Sequence, residues 1–417
     1  MFISTYMKKT LRDYQSDLAG KGVKILRDRG LVYLCMSVRT GKTATSMQIA
    51  KLYGAKNVLF LTKKKAMGDI LSDYLDFGFD FSIEIMNDES MHKCVGKYDL
   101  VIHDEHHRFG AIPKPGKATK TFKRMFGHLP MVFLSGTPSP ENYSQLFHQY
   151  WVSHSSPFKN YISFYKWAKD YVIPSTKYTS YGPAPDYSNA KIDLVMSVIE
   201  AYVLTYTQEQ AGFVSEIEEE VLLVPMKEST YNLASRLKRD LVVQGKEEVI
   251  LADTGVKLMQ KLHQIYSGTI KFESGSRMVI DDSKALHIME KFKHNKIGIF
   301  YKFVAELDAL RQVYGSDTLT TDLEEFNTTD KSIALQIVSG REGISLRNAE
   351  FIVFYNIDFS ATSYWQARDR MTTMERKFNK VYWVFSKGGI EQDIYKQVLK
   401  KKNFTLSHFK NETKNNK

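Results

Sequence analysis

A chain of 417 residues is too long for one compact core, and its 43% apolar and 25% charged residues are typical of a soluble globular protein. Its 58 basic residues exceed its 47 acidic ones, and the resulting formal charge of +11 favours a polyanionic partner. Two cysteines exclude a disulfide framework, and no apolar run reaches the roughly 20 residues that cross a bilayer. We therefore expect a cytoplasmic protein that binds no membrane.

The first predicted helix runs from about Leu11 to Arg27. Within it, Gln15 carries a side-chain amide that donates and accepts hydrogen bonds at once, which suits the edge of an adenine ring. For an isolated glutamine, a solvated helix residue is the simpler alternative.

The segment Ser37–Thr43 lies between a predicted strand and a predicted helix, which is the order of a phosphate-binding loop. In such a loop Lys42 reaches the β- and γ-phosphates and the Thr43 hydroxyl binds Mg²⁺. The pattern also calls for a glycine at position 36, where this chain has Met36. The alternative is an ordinary strand-to-helix turn with a surface lysine. Nucleotide contacts are predicted from Thr40, Gly41, Lys42 and Thr43.

Short apolar runs alternate with helical patterns along the first third of the chain, which predicts a parallel α/β sheet. Ligands bind at the carboxyl ends of the strands of such sheets. The predicted strands are Leu31–Met36, Asn57–Leu61, Phe81–Met86, Asp99–His103 and Met131–Leu134.

Acidic residues follow the strand that ends at His103. Beside a phosphate loop, Asp104 is placed to hold Mg²⁺, partly through water, and Glu105 to orient or deprotonate an attacking water. An acidic turn with two solvated histidines is the alternative. A zinc site at His106 and His107 is a weaker third interpretation, because adjacent histidines diverge and no third ligand is apparent.

The next strand ends in Ser135-Gly136-Thr137-Pro138, which leaves two hydroxyls at its tip. Residues 139–220 are less regular, and we expect a helical elaboration with a loop over Ser175–Ala190 and a helix over Asp193–Leu204. A domain boundary is predicted near residue 210, so that one lobe spans 1–210 and the other 211–417.

A second α/β pattern occupies the other half of the chain, after helical stretches over Ser229–Val243 and Lys246–Tyr266. Further helices are expected over Ala285–Lys293, Val304–Val313, Ser363–Arg370 and Gly389–Lys400. The predicted strands are Val221–Pro225, Lys296–Tyr301, Ile333–Val338, Phe351–Tyr355 and Val381–Phe385.

The order of these polar clusters resembles that of the superfamily 2 helicases. It is most similar to the Snf2-like branch found in bacteriophage genomes, with the DExH form of motif II. Leu11–Gln15 is similar to the adenine-reading motif and Ser37–Thr43 to motif I. The later matches, motifs Ia, II, III, IV, V and VI in order, are Leu61–Lys65, Asp104–His107, Ser135–Pro138, Phe300–Lys302, Ser339–Leu346 and Gln366–Arg370. Ile390-Glu391 before the last helix also matches. The resemblance spans about Leu11 to Lys401 and is weakest over 139–220.

This resemblance implies two RecA-like lobes with ATP and Mg²⁺ in a cleft between them. The first lobe would supply Lys42, Thr43, Asp104 and Glu105. The second would supply Gly343 and a catalytic arginine, Arg370, that meets the γ-phosphate when the lobes close. The family carries another arginine three residues later, where this chain has Thr373. Candidates to replace it are Arg368, Arg341 and Arg376.

Nucleic-acid contacts are expected from motif residues Thr62, Lys63, Lys64, Ser339 and Arg341, and coupling of nucleotide to nucleic acid from Ser135, Thr137 and Gln366. A second basic patch is predicted in a loop after motif II, at Lys114, Lys117, Lys120, Lys123 and Arg124.

The implied function is an ATP-dependent DNA helicase or translocase. Alternatives are a double-strand translocase that remodels or branch-migrates DNA without separating strands, and a nucleic-acid-binding protein with weak ATPase. DNA is favoured over RNA by the Snf2-like spelling. We expect a monomer, in the host cytoplasm if the chain is phage-encoded.

Overall fold

Two six-stranded parallel sheets organise the part of the chain that the structure describes. The structure is a computed structural model that describes residues 9–139, 142–179, 182–213, 216–244, 248–337, 346–359 and 378–399. Within these residues the chain divides into two units, the first ending at Gly212 and the second beginning at Phe213.

The first unit is built on a sheet with the strand order β3-β2-β4-β5-β1-β8. The strands of this unit are β1 Leu31–Met36, β2 Asn57–Thr62, β3 Ser82–Asn87, β4 Leu100–His103, β5 Met131–Leu134, β6 Ser175–Thr179, β7 Gly182–Asp186 and β8 Val203–Tyr206. Its α-helices are α1 Asp13–Arg29, α2 Lys42–Tyr53, α3 Met67–Phe77, α4 Lys117–Phe126, α5 Leu146–Trp151, α6 Phe164–Tyr171 and α7 Ile192–Ile199.

Both faces of this first sheet are covered, so its strands are apolar on both sides. In β1, Leu31 and Tyr33 pack into an aromatic layer with α4 to α7. The alternate residues Val32 and Leu34 pack against α1 and α2. Because all of its strands pair in parallel, their carboxyl ends lie at one edge of the sheet.

The second unit is built on a sheet with the strand order β15-β16-β14-β17-β18-β9. Its strands are β9 Glu216–Val224, β10 Val242–Gln244, β11 Val249–Leu251, β12 Thr269–Lys271, β13 Arg277–Val279, β14 Ile297–Tyr301, β15 Leu319–Thr320, β16 Ser332–Gln336, β17 Phe351–Phe354 and β18 Phe378–Ser386. Its helices are α8 Glu228–Asp240, α9 Gly255–Tyr266, α10 Ser283–Lys291, α11 Val304–Tyr314, α12 Leu323–Thr328 and α13 over residues 391–399.

The predicted fold class, α/β with two tandem lobes of parallel sheet flanked by helices, is confirmed. Most predicted core strands lie within one or two residues of the observed ones. The predicted helix over Ser363–Arg370 lies outside the described residues.

The predicted loop over Ser175–Ala190 is wrong, because β6 and β7 form an antiparallel hairpin in which Ser175 pairs with Asp186. Pro183 and Pro185 obscured this hairpin in the sequence. Alternate residues of a strand direct their N–H groups to the same side. Two prolines that are separated by one residue therefore remove hydrogen-bond donors from one edge of the strand only.

Three predicted helices were too long, because short strands follow or precede them. The end of Asp193–Leu204 is strand β8, which pairs in parallel with β1. The helix α8 stops where Leu241 takes a left-handed conformation with φ of 58°. Residues 249–251 form β11, and α9 begins only after Thr254, whose hydroxyl accepts from the Lys257 N–H at 3.3 Å.

Candidate functional site

Four adjacent strands of the first sheet, β2, β4, β5 and β1, end in the polar clusters predicted to carry function. Thr62 is the last residue of β2, Asp104 follows β4, Ser135 follows β5, and Ser37–Thr43 follows β1. Strand order therefore brings together four segments that are far apart in the chain, at the edge where ligands bind in parallel sheets.

The loop Ser37–Thr43 connects β1 to α2 through two residues in the left-handed region, Arg39 with φ of 62° and Gly41 with φ of 81°. A Cβ atom at Gly41 would lie only 1.9 Å from Nε2 of Gln15, so glycine is required there for space as well as conformation. Thr40 is buried, and its hydroxyl donates to the Ser37 carbonyl at 2.7 Å. The loop thus places the N-terminus of α2, whose first N–H groups have no acceptor within the helix, at the sheet edge.

Lys42 opens α2 and carries the central positive charge of the site. Its Nζ donates to the carbonyls of Met36 at 3.0 Å and Ser37 at 3.1 Å. A Cβ on Gly136 would lie 3.8 Å from this ammonium group, so Lys42 also lies beside the segment after β5. Its positive charge favours the ionised forms of Asp104 and Glu105 and so acts to lower the pKa of each.

Asp104 is held by two donors. Its Oδ2 accepts from the Thr62 hydroxyl at 3.1 Å, and its Oδ1 accepts from the Glu105 N–H at 2.9 Å. Burial and the adjacent charge of Glu105 nevertheless raise the pKa of Asp104. Two neighbouring carboxylates repel each other, and a divalent cation bound between them would offset that repulsion.

The pKa of Glu105 is shifted in the opposite direction. Burial works to raise its pKa, but the hydrogen bond and charge of His107, together with Lys42 and Lys63, outweigh it and the pKa is lowered. Its carboxylate lies 3.2 Å from Nδ1 of His107. Glu105 takes a left-handed backbone conformation, with φ of 49°. The residue is therefore ionised at neutral pH and held in one place.

His107 links the acidic cluster to the segment after β5. Its Nδ1 also lies 3.0 Å from the Ser135 hydroxyl, and Ser135 accepts from the Thr137 N–H at 3.1 Å. The Thr137 hydroxyl itself has no hydrogen-bond partner among the described residues. The sequence analysis considered His107 only as a solvated residue or a zinc ligand and did not predict its contacts with Glu105 and Ser135, although its position in Asp104–His107 was the available signal.

Gln15 lies against the loop Ser37–Thr43 and is 5% exposed. Its Oε1 accepts from the Arg12 N–H at 2.9 Å, and its Nε2 donates to the Thr40 carbonyl at 3.4 Å. Both ends of the amide therefore bond to the chain itself. The Tyr14 hydroxyl donates to the same carbonyl at 3.0 Å. The Gln208 amide donates to the Val38 carbonyl at 3.1 Å, and neither contact was anticipated from the sequence.

The predicted nucleic-acid contacts at the end of β2 divide into two groups. Thr62 is 1% exposed and bonded to Asp104, so it is a support for the carboxylate rather than a surface residue. Lys64 is exposed, and Lys63 is half-buried, close enough for its charge to lower the pKa values of Asp88 and Glu105.

The second basic patch lies partly on helix α4 rather than in a loop, because Phe122 and Phe126 anchor one face in the core. Lys117, Lys120 and Arg124 are exposed on this helix. Lys123 is not part of that surface: its Nζ lies 3.7 Å from the centre of the Trp151 ring and donates to the Trp151 carbonyl at 2.8 Å.

The zinc interpretation of the paired histidines is wrong for His106. Its Nδ1 bonds to Nδ1 of His103, and its Nε2 donates to the Gln149 carbonyl at 2.8 Å. Within the described ranges, no group of three or more His, Cys, Asp or Glu residues is arranged to hold a metal ion. Nor does that part of the chain contain a helix long and apolar enough to cross a membrane.

In the second unit, most predicted site residues lie outside the described residues: Ser339, Arg341, Gly343, Gln366, Arg368, Arg370, Thr373 and Arg376. Lys302, from the predicted motif IV, forms an ion pair with Asp358 at 2.9 Å. Glu391 is fully buried and pairs with Lys284 at 2.6 Å.

Comparisons with known proteins were made at three levels. No protein-family model matches the chain, and no curated protein matches it. Among solved structures, it is similar to the Sulfolobus solfataricus SWI2/SNF2 ATPase core in complex with dsDNA, with 15% sequence identity and a TM-score of 0.44. That similarity covers 96% of this chain and 93% of the other.

Proposed function

We propose that this protein is an ATP-dependent DNA motor, a helicase or translocase that couples ATP hydrolysis to movement along or unwinding of DNA. One observation carries the proposal. Lys42, Asp104 and Glu105 lie together at adjacent strand ends, and His107 ties Glu105 to Ser135 on the next strand. A cation, two carboxylates with opposite pKa shifts and a helix N-terminus are the parts that phosphoryl transfer to water requires.

Each residue has a role that its surroundings support. Lys42 and the first N–H groups of α2 would hold the phosphates of ATP, while Thr43 and Asp104 would hold Mg²⁺, which supplies charge neutralisation when bound. Glu105, ionised at neutral pH, would accept a proton from the attacking water. Gln15 braces the loop, and an adenine-reading role for its amide remains a prediction, as does the role of Arg370.

The nucleic-acid partner is proposed from charge. Lys63 and Lys64 follow β2 at the same edge as the acidic cluster, and Lys117, Lys120 and Arg124 add an exposed basic face. Phosphate contacts of this kind carry no sequence information, so binding should be non-specific and should weaken as salt rises. RNA stays an alternative.

The first test is ATP hydrolysis by the purified protein with and without single-stranded DNA, double-stranded DNA and RNA. We expect hydrolysis to be stimulated by DNA and the stimulation to decline with increasing salt. If the wild-type protein binds DNA but hydrolyses no ATP under any condition, the alternative of a nucleic-acid-binding protein without a working motor is favoured.

A paired substrate assay separates the two motor functions. A forked duplex reports strand separation, and a mobile four-way junction reports branch migration. Activity on the junction without release of strands from the fork would favour the double-strand translocase over the helicase.

Replacing Thr62 by valine is expected to shift the acid limb of the pH–rate profile upward. The Thr62 hydroxyl favours the ionised form of Asp104 and so lowers its pKa, and without that bond the pKa rises further. Because the ionised form is needed to hold Mg²⁺, kcat/KM should fall off at a pH higher by roughly 0.5 to 1 unit.

The matched control is Thr119→Val, since Thr119 is 2% exposed and Thr62 1%, and Thr119 lies on α4 outside the site. The control should keep the wild-type profile. An acid limb at the same pH in Thr62→Val and wild type would contradict the assigned contact.

A further inference from the structure

Helix α5, in the region after Ser135–Pro138, carries a buried glutamine whose side chain and backbone carbonyl together contact three parts of the candidate site. Gln149 is 0% exposed. Its Oε1 accepts from the Tyr33 hydroxyl at 2.7 Å, and its Nε2 donates to the Pro138 carbonyl at 2.7 Å. Its backbone carbonyl accepts from Nε2 of His106 at 2.8 Å.

These partners belong to the segments whose relative position defines the site. Tyr33 lies in β1, which leads into the phosphate loop, His106 follows Glu105, and Pro138 ends the segment that contains Ser135. Gln149 spans all three from an element that is not itself a strand end. An amide is suited to this place because it can accept from a hydroxyl and donate to a carbonyl at once.

The partners of Gln149 are closely packed, so its hydrogen bonds restrict the positions of the segments that they join. His106 stacks on Phe133 with ring centroids 3.5 Å apart and an interplanar angle of 9°. Its other ring nitrogen bonds to His103, which contacts Asp88 at 3.2 Å. In a dry network of this kind, the loss of one member leaves its partners without hydrogen bonds that water cannot replace.

The same helix also contacts α4 and the segment before α4. Lys123 of α4 donates to the Trp151 carbonyl at 2.8 Å, and Nδ1 of His148 donates to the Ala111 carbonyl at 2.6 Å. Helix α5 therefore contacts both the nucleotide-site segments and the helix that carries Lys117, Lys120 and Arg124.

We propose that Gln149 is a positioning residue that fixes Ser135–Pro138 against the phosphate loop and the acidic cluster, so that ATP hydrolysis responds to DNA. The role rests on the proposed ATP-dependent motor function. The Gln149 side chain acts through Tyr33 and Pro138, and its backbone carbonyl holds His106.

The test compares Gln149→Met with Tyr33→Phe. Gln149→Met keeps the approximate volume but removes all three hydrogen bonds of the amide, to Tyr33, Pro138 and the Gln145 carbonyl. Tyr33→Phe removes only the bond to Oε1 and leaves the bond to Pro138 in place. Two readouts are measured on the full chain: hydrogen exchange of peptides covering residues 134–139 without nucleotide, and kcat and KM for ATP with and without DNA.

For Gln149→Met we expect roughly tenfold faster exchange in residues 134–139 and a loss of DNA stimulation of about tenfold, with KM for ATP within threefold of wild type. Tyr33→Phe, which leaves the contact between Gln149 and Pro138 in place, should show a smaller change than Gln149→Met in both readouts. Gln149→Glu provides a rescue, because a protonated carboxyl can again donate to the Pro138 carbonyl. Its DNA stimulation should recover as the pH is lowered, which Gln149→Met cannot do.

The outcomes separate this role from the motor function. If the wild-type protein hydrolyses no ATP, the motor function fails, and the exchange measurement still decides the positioning role. If the exchange of residues 134–139 is unchanged in folded Gln149→Met, the positioning role is overturned whatever the ATPase does. If Gln149→Met does not fold, Gln149→Glu is measured instead, and exchange and DNA stimulation equal to those of the wild-type protein at each pH would overturn the role.

Discussion

Replacing Lys42 by alanine should reduce ATP hydrolysis by about a hundredfold or more and leave the fold intact. In the proposed function Lys42 stabilises the charge that develops on the transferred phosphoryl group, and preorganised charges of this kind have effects of about 10² to 10³ on kcat. It is half-buried at the start of α2, and its Nζ donates to the carbonyls of Met36 and Ser37. Steady-state ATPase assays with saturating DNA measure the effect.

The control for Lys42→Ala is Lys51→Ala on the same helix. Lys51 is 43% exposed and makes one surface ion pair with Asp80 at 3.6 Å, so its loss should change neither rate nor melting temperature appreciably. A Lys42→Ala protein that hydrolyses ATP at the wild-type rate would contradict the phosphate loop and, with it, the motor function.

Glu105→Gln separates binding from hydrolysis in the same experiment. The amide keeps the size of the side chain but cannot take a proton from water. Glu105→Gln should therefore bind a fluorescent ATP analogue with affinity close to wild type, while Lys42→Ala should bind it more weakly. Equal loss of binding in both variants would mean that Glu105 supports the loop rather than the chemistry.

Breaking the buried ion pair of the second unit should have the largest effect on stability. Lys284 and Glu391 are both 0% exposed, with 2.6 Å between Nζ and Oε1. The Ser386 hydroxyl donates to Glu391 Oε2 at 2.9 Å. Removing one partner leaves an uncompensated buried charge, so Lys284→Met should lower the free energy of unfolding by about 3 to 5 kcal/mol.

An exposed pair of equal length is the matched control for this prediction. Lys227 and Asp282 are also 2.6 Å apart, but their side chains are 53% and 37% exposed. Lys227→Met should therefore cost about 1 kcal/mol or less. Hydrogen exchange of peptides from β17 and β18 reports the stability of this unit in the full chain.

A double variant isolates the buried charge as the cause. Lys284→Met with Glu391→Leu removes both charges, and it should be more stable than either single variant. Burial acts to raise the pKa of Glu391, but the charge and hydrogen bond of Lys284 outweigh this effect, so the net pKa is lowered. The pair's stabilisation is therefore present at neutral pH and is lost only as pH falls through that lowered value. Equal destabilisation by Lys284→Met and Lys227→Met would contradict the argument.

The sequence predicted the parallel strands well because they are buried on both faces. Runs such as Leu31–Met36 and Met131–Leu134 are apolar throughout, and their bounds agree with the observed strands. The hairpin of β6 and β7 and the edge strand β8 were missed, because their pairing partners, rather than their own residues, decide their conformation. Val203–Tyr206 is a strand because β1 lies beside it.

For the candidate site, the sequence by itself determined which residue types stand at the strand ends: Lys42, Asp104, Glu105 and Ser135. The tertiary structure decided what each side chain contacts. It placed Thr62 under Asp104 instead of at the surface, and it joined Gln149 to Tyr33, 116 positions away. Short-range pattern follows from periodicity and turn chemistry, whereas the partner of a buried polar group depends on which distant segments the sheet order brings into contact.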